Sequence, residues 1–148
     1  MRYETAKKIA FWATTILGPS SFVIGGVVNL TQSDQALTAL QHLGYPAYFA
    51  LLLGFWKLAG AVVITAPGLP RLKEWAYAGF MFNLTAAAVS HAAVGDAAVE
   101  VIAPLAFLAL VLASWALRPA SRTLAVPAET PRARREALVR LDASSQPA

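Results

Sequence analysis

Two ionisable residues stand inside otherwise uncharged apolar runs of this 148-residue chain: Lys57 within residues 47–66 and Glu100 within residues 97–117. A charge at the centre of a bilayer costs at least about 2.5–3.5 kcal/mol on insertion scales, so each is a functional-site candidate by default. Lys57 is about ten residues from either end of its run, and Ala50, Gly54, Gly60 and Ala61 share its side of a helical wheel. Small residues mark helix contacts in membranes, which turns Lys57 toward its neighbours. Glu100 is the natural partner, with a free backbone acceptor beside it because Pro104 has no N–H to give the carbonyl four residues earlier. Bridging the two needs the full length of the lysine chain or a water. In the run 75–94, Asn83 and Ser90 share a stripe with Ala76 and Gly79, and His91 lies to one side. Lys57, Asn83, Ser90, His91 and Glu100 are thus the candidate lining of a polar pocket that binds a ligand or carries a proton. The competing reading is helix glue, with interhelical polar contacts averaging about 0.6 kcal/mol. Both stand for Lys57 and Glu100; for His91, near a boundary, glue is the simpler reading.

The elements that must position these residues are apolar helices. Hydrophobic residues make up 57% of the chain and charged ones 14%, against roughly 25% charged in a typical soluble domain. Four runs, at about 9–30, 47–66, 75–94 and 97–117, have the roughly 20 residues that a 30 Å hydrocarbon core requires. They predict an all-α integral membrane four-helix bundle, up-down-up-down, over residues 1–117. The connections carry breakers at Pro67-Gly68-Leu69-Pro70 and Gly95-Asp96, while Ala36, Leu37, Leu40 and Leu43 predict a short interfacial helix in the longest one. Gly18-Pro19-Ser20-Ser21 predicts a kink in the first run, with serine hydroxyls satisfying freed backbone groups. That run is too long for a signal-peptide core and lacks an A-x-A-like site after it, so it reads as a membrane helix.

Eleven of the twelve Lys and Arg fall on one side of this alternating topology, and the two loops on the other side hold Asp34 and Asp96 with no Lys or Arg. The positive-inside rule then places both termini in the cytoplasm. Arg71, Lys73, Arg132, Arg134 and Arg135 are candidates for contact with anionic lipid or a soluble partner. Residues 118–148 read as a basic, mostly disordered cytoplasmic tail; Thr130 could cap a short membrane-surface helix with Pro131 at its first position, but a solvated tail with fleeting helicity is the simpler reading. The net charge of +4 is therefore a topology signal and gives no footprint for nucleic acid. Without cysteine there is no disulfide, thiolate metal site, CxxC pair or cysteine nucleophile. No phosphate loop, dinucleotide fingerprint, zincin motif or catalytic triad is present, so no catalytic or metal-ligating residue is assigned. Asn29-Leu30-Thr31 and Asn83-Leu84-Thr85 fit a glycosylation pattern, but at the edge of a run and inside one they read as chance.

Leu43-Gly44-Tyr45-Pro46, Leu53-Gly54, Lys57-Leu58, the stretch from Pro67 to Phe80, Ser90-His91 and Gly95-Asp96 form an ordered block. That block resembles the DoxX-like family of small bacterial four-helix membrane proteins. The resemblance implies the bacterial inner membrane and a membrane subunit or partner of a redox or oxidative-stress system, the family being named after a subunit of a thiosulfate:quinone oxidoreductase. With no Cys and two His, this chain lacks ligands for an iron–sulfur cluster or a paired haem site. The resemblance thus implies an anchor or quinone-adjacent subunit, with quinone the one cofactor it suggests. The alternative is a small-molecule, quinone or proton-binding or transport protein built on Lys57, Glu100, His91 and Asn83. A third reading, a small transporter, requires a homo-oligomer.

Overall fold

The computed structural model describes residues 2–124, with side chains from residue 5 onward. The described residues form helices joined by turns: α1 (Arg2–Leu17), α2 (Ser21–Leu30), α3 (Asp34–His42), α4 (Tyr48–Thr65), α5 (Pro70–Ala93) and α6 (Ala98–Ala116), then a 3-10 turn at Ala120–Arg122. The all-α expectation holds, and α3 is the short helix predicted in the longest connection. Among the described residues three stretches are long and apolar enough to cross a membrane: Thr5–Leu30, Tyr48–Thr65 and Ala98–Ala116. α5, with 24 residues, has the length but a more polar composition. Large apolar side chains such as Ile24, Phe55, Val62 and Ile102 point outward, the reverse of a water-facing surface.

The predicted kink in the first run is a full break. Pro19 has no N–H, and the chain re-registers around it. Ser20 N–H donates to the Thr15 carbonyl five residues back at 2.9 Å, and the next three N–H groups reach back only three residues. Ser21 Oγ donates to the Gly18 carbonyl at 2.6 Å, the rescue expected of a hydroxyl there. The break sends the two halves to different partners, α1 to α6 and α2 to α4. The α2–α4 contact is backbone-close: a Cβ on Gly54 would lie 2.8 Å from both the Gly26 carbonyl oxygen and the Leu30 nitrogen. Ala50, Gly54, Gly60 and Ala61 are buried as the wheel predicted. Phe80 closes over Gly60 and stacks on Phe22 at 4.0 Å, at the heart of a core with Ile64, Tyr77, Leu84 and Val111.

One end of the molecule is held by cations on helix carbonyls. The last carbonyls of a helix have no partner within it and carry its negative dipole end. At the end of α4, Lys73 Nζ donates to the Val63 and Ala66 carbonyls at 2.6 and 2.5 Å, and Arg122 Nη1 donates to Ile64 at 2.9 Å. Arg118 pairs with Glu74 at 2.8 Å and lies over the Tyr77 ring at 5.0 Å, while Trp115 Nε1 donates to the other Glu74 oxygen. Beneath them Ser114 Oγ meets Thr15 Oγ1 at 2.7 Å and Tyr77 Oη at 2.8 Å, joining α1, α5 and α6. Lys73, read from the sequence as a lipid or partner contact, is 1% exposed and spends its donors inside the protein. Residues 118–124, read as the start of a solvated tail, are packed here through Arg118 and Arg122. The stretch from 125 on, with Arg132, Arg134, Arg135 and the Thr130–Pro131 helix start, lies outside the described residues.

Replacing Lys73 by Met strands two buried carbonyls and is expected to cost roughly 2–4 kcal/mol. Arg71→Met, on an exposed neighbour, should stay within about 0.5 kcal/mol. Thermal unfolding of the two variants in detergent checks the contrast, and equal effects would rule out the capping role.

Candidate functional site: a lateral cavity beside Lys57

α2, α3, α4 and α5 line a cavity of about 950 Å³, at the upper end of the range for small-molecule sites. Its wall is mostly apolar, with Leu40, Phe49, Leu53 and Phe80 among the lining residues. On the α5 side the wall is the Ala76, Gly79, Asn83 stripe. Nothing lies within 4 Å of a Cβ built on Gly79. Small residues on α4 let helices touch, whereas on α5 they leave room. The cavity opens sideways: Trp56, Phe82 and Trp75 line it while being 63, 65 and 77% exposed.

Lys57 lies at mid-height in α4 and reaches across toward α2, its Nζ 3.8 Å from where a Cβ on Gly25 would stand. Among the described residues the ion pairs are His42–Asp96, His91–Asp96 and Arg118–Glu74; Lys57 has neither an ion pair nor a hydrogen bond. Asn29, one turn beyond Gly25 on α2 and 9% exposed, and Asn83 on α5 line the same space, and their side chains also have no protein partner among the described residues. Of the five residues predicted to share a pocket, Lys57 and Asn83 do. Glu100 is exposed in the first turn of α6, outside the cavity and unpaired with Lys57.

Ser90 and His91 act at the α3 end of the molecule. Ser90 Oγ meets Tyr45 Oη at 2.8 Å. Asp96 takes His91 Nδ1 on one oxygen at 2.6 Å and His42 Nε2 on the other at 2.7 Å, which ties α3 to the end of α5. Since Gln35, Ala36, Ala39 and Leu40 of α3 line the cavity, this clamp holds its roof in place. Hydrogen bonds from His91, and then His42, hold the Asp96 carboxyl below the usual carboxylate range. Among the described residues no group of three metal-ligating side chains is assembled. Sequence reasoning missed Asn29, His42, Tyr45 and Asp96 as site or clamp residues. Fifty-four positions separate His42 from Asp96, and the one available signal was that the chain's two histidines and an acidic residue all fall in connections or helix ends on the same side.

Residues 13–114 match the DoxX-like family, a wider span than the block that carries the resemblance by eye, because it takes in most of the first and last apolar runs. No curated protein and no solved structure matches the chain.

A carboxyl whose pKa is lowered by folding stabilises the native state fully above its unfolded value, about 3.9. That stabilisation is lost as the pH falls through the lower native value. The protection of α3 amides, taken as their exchange relative to the intrinsic rate at each pH, is therefore expected to fall on acidification below about pH 4 in the wild-type chain. In Asp96→Ala, exchange should already be fast at neutral pH and lack that acid step; an unchanged step in the variant would sink the clamp.

Proposed function

The chain belongs to the DoxX-like family, and we propose that it is a non-catalytic, four-span subunit or partner of a membrane redox or oxidative-stress system that holds a lipophilic small molecule in the α2–α5 cavity. The observation that carries this reading is the cavity itself, mostly apolar, open at its side, and lined by Lys57, Asn29 and Asn83, whose side chains have no protein partner among the described residues. A protein core normally satisfies such groups internally, so their donors suit an incoming polar head while the walls suit its apolar part. In this reading catalysis is left to a partner.

In this reading α5 is the fourth span, and its polarity has a local cause. Asn83 faces the cavity, Ser90 and His91 make the clamp, and Lys73 and Glu74 join the basic end, so few polar groups on α5 need to meet lipid. The one-sided distribution of Lys and Arg supports both termini in the cytoplasm and residence in a bacterial inner membrane.

Two measurements test this. Native mass spectrometry of the protein released from native membranes should show a retained small molecule that is lost in Gly79→Phe, whose ring fills the cavity; equal retention by both would reject the site. The cysteine-free chain also suits single-site labelling. Gln35→Cys should react with an impermeant maleimide from outside the cell and Arg71→Cys should not, and the opposite pattern would overturn the orientation.

A further inference from the structure

Among the described residues the cavity lining carries one charge without a counter-group. Lys57 brings a positive charge with three N–H donors, and the amides of Asn29, Asn83 and Gln35 each bring both a donor and an acceptor, none with a protein partner. No Asp or Glu lines the cavity, and the carboxylate proposed from the sequence to balance Lys57, Glu100, is exposed on α6. The cations at the basic end behave differently. Lys73 donates to two carbonyls and Arg118 is paired with Glu74, so the fold supplies these two with counter-groups. At Lys57 it supplies none. An ammonium at mid-membrane depth beside apolar walls is the costliest place to leave one uncompensated.

We infer that the cavity takes a single-chain lipophilic anion, of the long-chain carboxylate class, with its head on Lys57 between Asn29 and Asn83 and its chain along the α5 stripe. The inference rests on the cavity being a binding site. Lining residues on α5 run from Leu72 to Ala87, about 22 Å at 1.5 Å per residue, which makes the space a trough suited to an extended chain. Lys57 lies near the middle of the 18-residue α4, well below the depth of phospholipid head groups, so the acceptor must be a small head that a bilayer interior can receive. Lateral exposure of Trp56 and Phe82 marks the side through which such a molecule enters from lipid. Ammonium–carboxylate contacts are roughly twice as strong as neutral hydrogen bonds, which sets the preference for an anion over a neutral molecule of the same length.

Trp56 and Trp75 line the cavity and report its occupancy. With the full chain in nanodiscs, 12-bromododecanoate is expected to quench tryptophan fluorescence saturably, at a concentration at least about tenfold lower than 12-bromododecanol. Lys57→Met should erase that preference and Lys57→Arg should keep it, with Gly79→Phe abolishing saturable quenching by both probes. If acid and alcohol quench alike in the wild-type protein, or a neutral short-chain quinone competes as well as the acid, the head is not an anion, although the cavity remains a binding site. If neither probe quenches saturably, and Gly79→Phe changes nothing, the site itself is refuted together with this inference.

Discussion

Backbone carbonyls at the end of an apolar helix must find donors, and at the end of α4 those donors come from elsewhere in the chain. Lys73 at the start of α5 and Arg122 beyond α6 take the Val63, Ile64 and Ala66 oxygens. The geometry follows from the turn: Pro67-Gly68-Leu69-Pro70 reverses the chain with Gly68 and Leu69 in left-handed conformations, and Pro70 starts α5 at the position where a missing N–H costs least. The fourth helical residue is then Lys73, under the carbonyls it caps. Because Arg118 and Arg122 follow α6 directly, the same contacts fix α6 and, through Ser114 and Thr15, α1. One electrostatic requirement thus sets the relative position of four helices.

This gives the basic residues two roles. Collectively they make the charge asymmetry that orients a membrane protein; individually, three of them are cap donors or ion-pair partners inside the fold. The two roles agree, since the residues that concentrate positive charge at one end also lie where cations stabilise the negative end of a helix dipole. Lys57 stands apart from them. It has the same chemistry but neither an ion pair nor a hydrogen bond among the described residues, and that contrast within one small protein is what the proposed site rests on.

Much of the fold was legible because its signals are local. Apolar runs, breaker residues, the Pro19 interruption and the α3 spacing each depend on neighbours within a few positions; the breaks and α3 appear where expected, and three of the four apolar runs coincide with stretches long and apolar enough to span a membrane. Lys57 and Asn83 were legible as site residues because a polar group in an apolar run is conspicuous by itself. Pairings were less so. Lys57 with Glu100 was the simplest match on paper, yet Glu100 is one turn into α6, which packs on α5 and α1, while Lys57 faces α2. Lys73 was misread for the converse reason: a lysine beside a loop looks solvated unless the carbonyls of the preceding helix are counted. Asn29 sits in a tripeptide that reads as chance, and only the crossing of α2 over α4 turns its side chain inward.

The cavity is a product of the break at Pro19. A straight first helix of 26 residues, Thr5 to Leu30, would keep a single set of neighbours along its length. Instead α1 lies on α6, and α2 swings onto α4, locked there by Gly26 and Gly54 with no room for a methyl group between them. α2 reaches α5 through the Phe22–Phe80 stack, but beyond it Gly79, with nothing within 4 Å of a Cβ built on it, and Asn83 face the cavity. An interface built from small residues and then left uncovered is an energetic loss unless something else fills the space. The same break that gives each half-helix its own partner therefore bounds the space that Lys57, Asn29 and Asn83 line.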